Sequence, residues 1–131
     1  MIIGENVSHQ KIVADISVKE LNRIKDFIRG AVYCWCKNNT DSKGQSSWFT
    51  TSDLFGGMSA DRSGTPLQAL VDWHFNNGVE NHELRALKDL RFILMKVIAE
   101  DLRRSYHTGH NEKGRRNYQW TRIDSRKSNT F

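Results

Sequence analysis

The side chains with reactive chemistry fall into a few small groups. Cys34 and Cys36 flank Trp35, and His107 and His110 lie three apart, which together supply the donor types of a zinc site. Their spacing argues against one. On a helix, residues two apart point about 200° away from each other, and zinc-binding cysteines usually have two to four residues between them, on a turn. Two half-buried core thiols in a reduced, cytoplasmic protein are the expectation, with no metal and no cofactor. Ser46, Ser47 and Ser52 have no strand-to-helix elbow around them. Gly56-Gly57 ends a helix instead of opening one, so no phosphate loop is read there.

Two further groups have the letters of nucleic-acid chemistry without its scaffold. His74, Asn81 and His82 share the residue types of a His–Asn–His nuclease motif, which needs a strand followed by a helix to hold its metal. Here they flank a helix end and a loop, and His74 falls on an apolar face, as a core histidine does. Tyr106 beside Arg103 and Arg104 has the pieces of a strand-cleaving tyrosine, yet a tyrosine at a helix end is ordinarily a packing residue. No nucleophile–base pair is visible, and an enzyme is not expected.

Charge is the remaining chemistry. Residues 103–131 carry eight basic side chains against Glu112 and Asp124, a net of +6. Residues 1–102 hold twelve basic and thirteen acidic side chains, a net of −1, so residues 103–131 carry all of the chain's net +5. A near-neutral body with a basic appendage concentrates a positive field and points to a polyanion partner. The 131 residues suffice for one core, and apolar runs such as Phe92 to Met95 are far too short to span a membrane.

The elements that must position these groups are legible from caps and periodicity. Ser17 and Glu20 have capping-box spacing, with Ile16 and Leu21 as a staple. Leu21, Ile24, Ile28, Ala31, Val32 and Trp35 then mark one face of a long helix, ended by the polar run 37–44. Ser47 to Thr50 reads as a short strand. Thr50 and Asp53 cap a brief helix that Gly56-Gly57 stops. Thr65-Pro66-Leu67-Gln68 opens a helix with Leu67, Leu70, Val71 and His74 on its inner face, closing at Asn76-Asn77-Gly78. Asn81 caps the longest helix, about 82–105, striped by Leu84, Leu87, Leu90, Leu94, Val97, Ile98 and Leu102. Tyr106 to Thr108 and Arg116 to Ile123 read as a hairpin with Tyr118 and Trp120 on its packing face. Trp35, Trp48 and Trp73 are assigned to the core, and Arg103 and Arg104 to the negative end of the last helix. The organisation is an N-terminal arm at 1–16, a single domain at 17–123 and a basic tail at 124–131.

This is a mostly α chain with a small β-hairpin, in the order α-β-α-α-α-β-β. Over residues 17–123 that order resembles the winged helix, a helix-turn-helix variant with a hairpin wing, and Trp48-Phe49-Thr50 and Tyr118-Gln119-Trp120 stand where its strands would pair. It departs by an extra helix and by the loop 78–81, longer than a tight helix-turn-helix turn. The stretches Phe27 to Cys36 and Gly64 to Gln68 also resemble small bacterial or phage proteins of no assigned function.

The winged-helix resemblance implies a non-enzymatic protein that binds double-stranded DNA, as a small regulator or accessory factor in transcription. It would present His82, Arg85 and Lys88, at the start of the last helix, to the major groove. Lys113, Arg115 and Arg116, with Arg122 beyond them, would meet backbone phosphates or a minor groove through the wing. Glu83, Asp89, Glu100 and Asp101 balance the charge of the same helix. That balance sets a second reading beside the first, an interaction module docking an acidic partner protein through the basic hairpin. Homodimerisation through the long helix is compatible with either.

Overall fold

The computed structural model describes Ile3 and residues 12–121. Four helices and one antiparallel hairpin follow in chain order: α1 (Val18–Asn38), α2 (Thr51–Phe55), α3 (Gln68–Asn76), α4 (His82–Glu100), β1 (Ser105–His110) and β2 (Arg116–Thr121). The mostly helical class with a small hairpin is therefore observed. Arg122 and the tail, with residues 4–11 of the arm, lie outside the described residues.

The caps behave as local chemistry dictates. Ser17 Oγ accepts the Glu20 N–H at 3.1 Å, and Thr50 and Asp53 close a full reciprocal box. Gly56 ends α2 at φ +80°, and a Cβ there would sit 2.7 Å from Ala60, so the turn requires glycine twice over. The helix at Thr65-Pro66 starts with a tight turn of i→i−3 bonds (Gln68 to Thr65, Ala69 to Pro66, Leu70 to Leu67) and becomes regular only at Gln68. Gln68 bonds Asp72 instead of closing a box. Asn81 makes no side-chain cap on α4.

The core is assembled on α4. Its buried residues Ala86, Leu87, Leu90, Ile93, Leu94, Val97 and Ile98 face Ile24, Ile28, Val32 and Cys36 of α1 and Leu67 and Leu70 before and in α3. A polar clasp ties the helices together. Asp89 (3% exposed) accepts from His74 Nε2 at 2.8 Å and from the backbone N–H groups of Val13 and Ala14 at 2.9 and 3.0 Å. His74 is the core histidine its spacing indicated. The end of the arm is thus pinned to the same carboxylate.

Several expectations are corrected. Ser47 to Thr50 is not a strand. It joins the hairpin through a single bridge, in which Phe49 and Tyr118 each donate an N–H to the other's carbonyl at 2.8 Å. Trp48 is 44% exposed, lying over Gly109 on the outer face of β1, because only Phe49 of this segment turns inward. The last helix stops at Glu100 instead of 105, leaving Leu102 at 85% exposure outside the stripe. Its end is set by Asp101, whose carboxylate accepts the backbone N–H groups of Arg103 and Arg104 and the hydroxyls of Tyr33 and Tyr106. Arg104 accordingly serves the hairpin rather than a helix end, with its guanidinium 4.8 Å from the Trp120 ring centre. The two thiols also differ: Cys36 is buried and Cys34 exposed.

Tyr106 pairs with Trp120 and Thr108 with Tyr118, so these four share the face that packs on the helices. The hairpin is closed by Asn111 to Arg115. Asn111 Oδ1 accepts the N–H groups of Lys113 and Arg115 at 2.9 Å each, and Gly114 takes the left-handed conformation at φ +75°. Asp41 to Gln45 repeats this turn bond for bond: Asp41 Oδ1 accepts from Lys43 and Gln45, and Gly44 sits at φ +82°.

Candidate nucleic-acid interface

Helix α4 turns one stripe away from the core, and that stripe is basic. Arg85, Lys88 and Arg91 follow at three-residue steps, each about 4.5 Å further along the axis. The helix's acids leave it clear. Asp89 is buried in the clasp, Glu100 pairs with Lys25 at 3.1 Å, Asp101 is buried under the tyrosines, and exposed Glu83 lies toward Arg62, with which it lines a separate pocket. The charge balance counted along the sequence is therefore separated in space.

The hairpin brings its own cations to the same place. Arg116 lies two residues before Tyr118 in β2 and shares its inward face, which the Phe49 bridge and the Tyr106–Asp101 bond hold against the body. Arg115 precedes it at the end of the turn. Lys88 and Arg91 from α4 and Arg115 and Arg116 from the hairpin line one cleft of about 290 Å³, together with Thr50, Thr51 and Ser52 around the start of α2 and the side chains of Phe92, Met95 and Tyr118. None of the residues lining it is acidic. Among the described residues, Lys88, Arg91 and Arg115 are in no ion pair. Burial, and then the nearby charge of Arg115, lower the pKa of Arg91 from its ordinary value.

The structure thus brings together three of the seven residues singled out from the sequence, Lys88, Arg115 and Arg116. Arg85 is exposed one helical turn before Lys88, and Lys113 is exposed at the hairpin tip. His82 is not the exposed reader expected: it is half-buried, its ring 5.2 Å from that of Phe75 in an edge-on contact. Arg122 lies outside the described residues. Sequence reasoning missed Arg91, although its step of three from Lys88 was a signal for it.

Among the described residues no group of three or more His, Cys, Asp or Glu side chains is placed to hold a metal, and no helix is long and apolar enough to cross a membrane. Comparisons of the chain with protein-family models, curated proteins and solved structures return no match.

Proposed function

We propose that this chain is a winged-helix-like protein that binds double-stranded DNA through the basic strip formed by α4 and the hairpin. One observation carries the reading: Lys88, Arg91 and Arg115 converge from two elements on one cleft with no carboxylate among its lining residues. With Arg85 beyond one end and Lys113 at the hairpin tip, the cations form an extended strip. Regularly spaced phosphates suit such a strip better than a single point charge would. Pairing of the segment between α1 and α2 with the last strand supports the winged arrangement, since the hairpin then projects beside α4.

In this reading the hairpin and Lys88 supply affinity that is independent of sequence, by releasing phosphate counterions. Arg85, exposed in the first turn of α4, is the candidate for base contact. Fluorescence anisotropy of a labelled random-sequence duplex at several salt concentrations tests this. Binding that weakens log-linearly with salt is the expected result. No binding at low salt rejects the DNA reading and leaves the acidic protein partner to be sought.

A further inference from the structure

The cations of the strip do not lie on a flat face. A duplex backbone can be met by exposed Lys and Arg side chains alone, yet here they surround a recess. Its volume of about 290 Å³ is close to the lower end of small-ligand sites, about 300 Å³. Arg91 is half-buried in its wall, with no acidic partner among the described residues. Beside it on α4 are Phe92 and Met95, which give the recess an apolar part, while Thr51 and Ser52 bring hydroxyls from the opposite element. A half-buried guanidinium facing other cations is unfavourable until an anion enters. An apolar wall next to those cations is of no use to a bare inorganic anion. Charge and apolar surface side by side match one chemistry, a phosphate joined to an organic group.

We propose that this recess is a site for a single phosphate ester of nucleotide size. Its phosphate is held by Lys88, Arg91 and Arg115, and its organic part lies against Phe92 and Met95. Arg91 is the principal ligand, because its planar fork can give two hydrogen bonds to one phosphate and its partial burial in the wall limits competing water. The ester is either a free nucleotide or an unpaired nucleotide at the end of a DNA strand, and both present the same groups. The inference rests on the same cations as the duplex reading, and the two can fail separately.

The test is titration of the full chain with thymidine monophosphate, thymidine and inorganic phosphate, followed by amide NMR. Thymidine monophosphate is expected to bind one to one and to shift the amides around Lys88, Arg91 and Phe92. Inorganic phosphate is expected to bind at least roughly tenfold more weakly, and thymidine weaker still. Arg91→Gln is expected to weaken the nucleotide by roughly tenfold or more, with Lys19→Gln, exposed and not among the residues lining the recess, changing nothing. A 5′-phosphorylated single strand that competes with the nucleotide identifies a strand end as the source, and one that does not identifies the free nucleotide.

Absence of nucleotide binding overturns the inference, as does binding that shifts other residues or survives Arg91→Gln. If Arg91→Gln does not fold, the wild-type shift map and Arg91→Lys, which keeps the charge and loses the fork, decide the matter. Salt-dependent duplex binding without nucleotide binding rejects this site alone. Nucleotide binding without duplex affinity rejects only the duplex reading.

Discussion

The hydroxyl of Tyr106, the second residue of β1, donates to Oδ2 of Asp101, the C-cap of α4, at 3.1 Å. Tyr33 of α1 donates to the same carboxylate at 2.9 Å. One buried acid therefore fixes the angle at which the chain leaves α4 and enters the hairpin. That angle decides whether Arg115 and Arg116 reach the cleft beside Lys88 and Arg91. Asp101, distant in sequence from Arg115 and Arg116, thus sets their geometry.

Replacing Asp101 should loosen the hairpin before it affects the helices. Asp101→Ala leaves two phenols and two backbone N–H groups without their acceptor, and is expected to cost about 2–4 kcal/mol. Urea unfolding measures the loss. Duplex affinity should fall as well, since the hairpin cations are no longer held against α4.

The same contact makes stability sensitive to alkali. Burial, then the hydrogen bond to Asp101 and its charge, push the Tyr33 phenol up to about 12 from an ordinary 10.0. Burial and the charge of Asp101 raise Tyr106 in the same direction. The folded chain keeps protons that the unfolded chain releases above about pH 10, so this contribution is complete below that pH. It is lost as pH rises through about 12. Phenolate absorbance against pH should show these two tyrosines titrating late, with urea midpoints falling over the same interval.

The two cysteines should separate cleanly by reactivity. Burial pushes the Cys36 thiol up to about 12, although a hydrogen bond with Ser46 works against it, while Cys34 is exposed. A thiol reagent under native conditions is expected to modify Cys34 alone, with Cys36 reacting only after denaturation. Mass spectrometry of the labelled peptides distinguishes them.

Asp89 is the corresponding anchor for the arm. Asp89→Ala removes the acceptor of Val13, Ala14 and His74 together and should destabilise by about 3–5 kcal/mol, as breaking a buried polar cluster does. Hydrogen exchange should speed up at the Val13 and Ala14 amides first. Equal acceleration throughout the chain would mean that the clasp is not a local anchor.

What was legible in the sequence was what is decided locally. The caps at Ser17 and Thr50, the stop at Gly56 and the alternation of Tyr118 and Trp120 each depend on neighbours within a few residues. The end of α4 was not legible, because Leu102 continues the helical period and only the tertiary pull of two tyrosines on Asp101 breaks it. Trp48 reads as a core residue from its position just before the Thr50 cap, but in a segment held by one bridge only Phe49 has a place in the core. The basic stripe of α4 was obscured by Asp89, which looks like a surface acid in one dimension and is a buried acceptor in three. His82 read as exposed for the opposite reason: Phe75, seven residues earlier and across a turn, covers it.

The most direct test of the account is the salt dependence of duplex binding by wild type and by the Arg115→Ala/Arg116→Ala double variant. Each neutralised phosphate contributes about 0.9 to the slope of log K against log salt. The double variant is therefore expected to bind all sequences more weakly, with a slope shallower by about 1.8. Identical affinity and slope in the two proteins would contradict a DNA interface built on this hairpin.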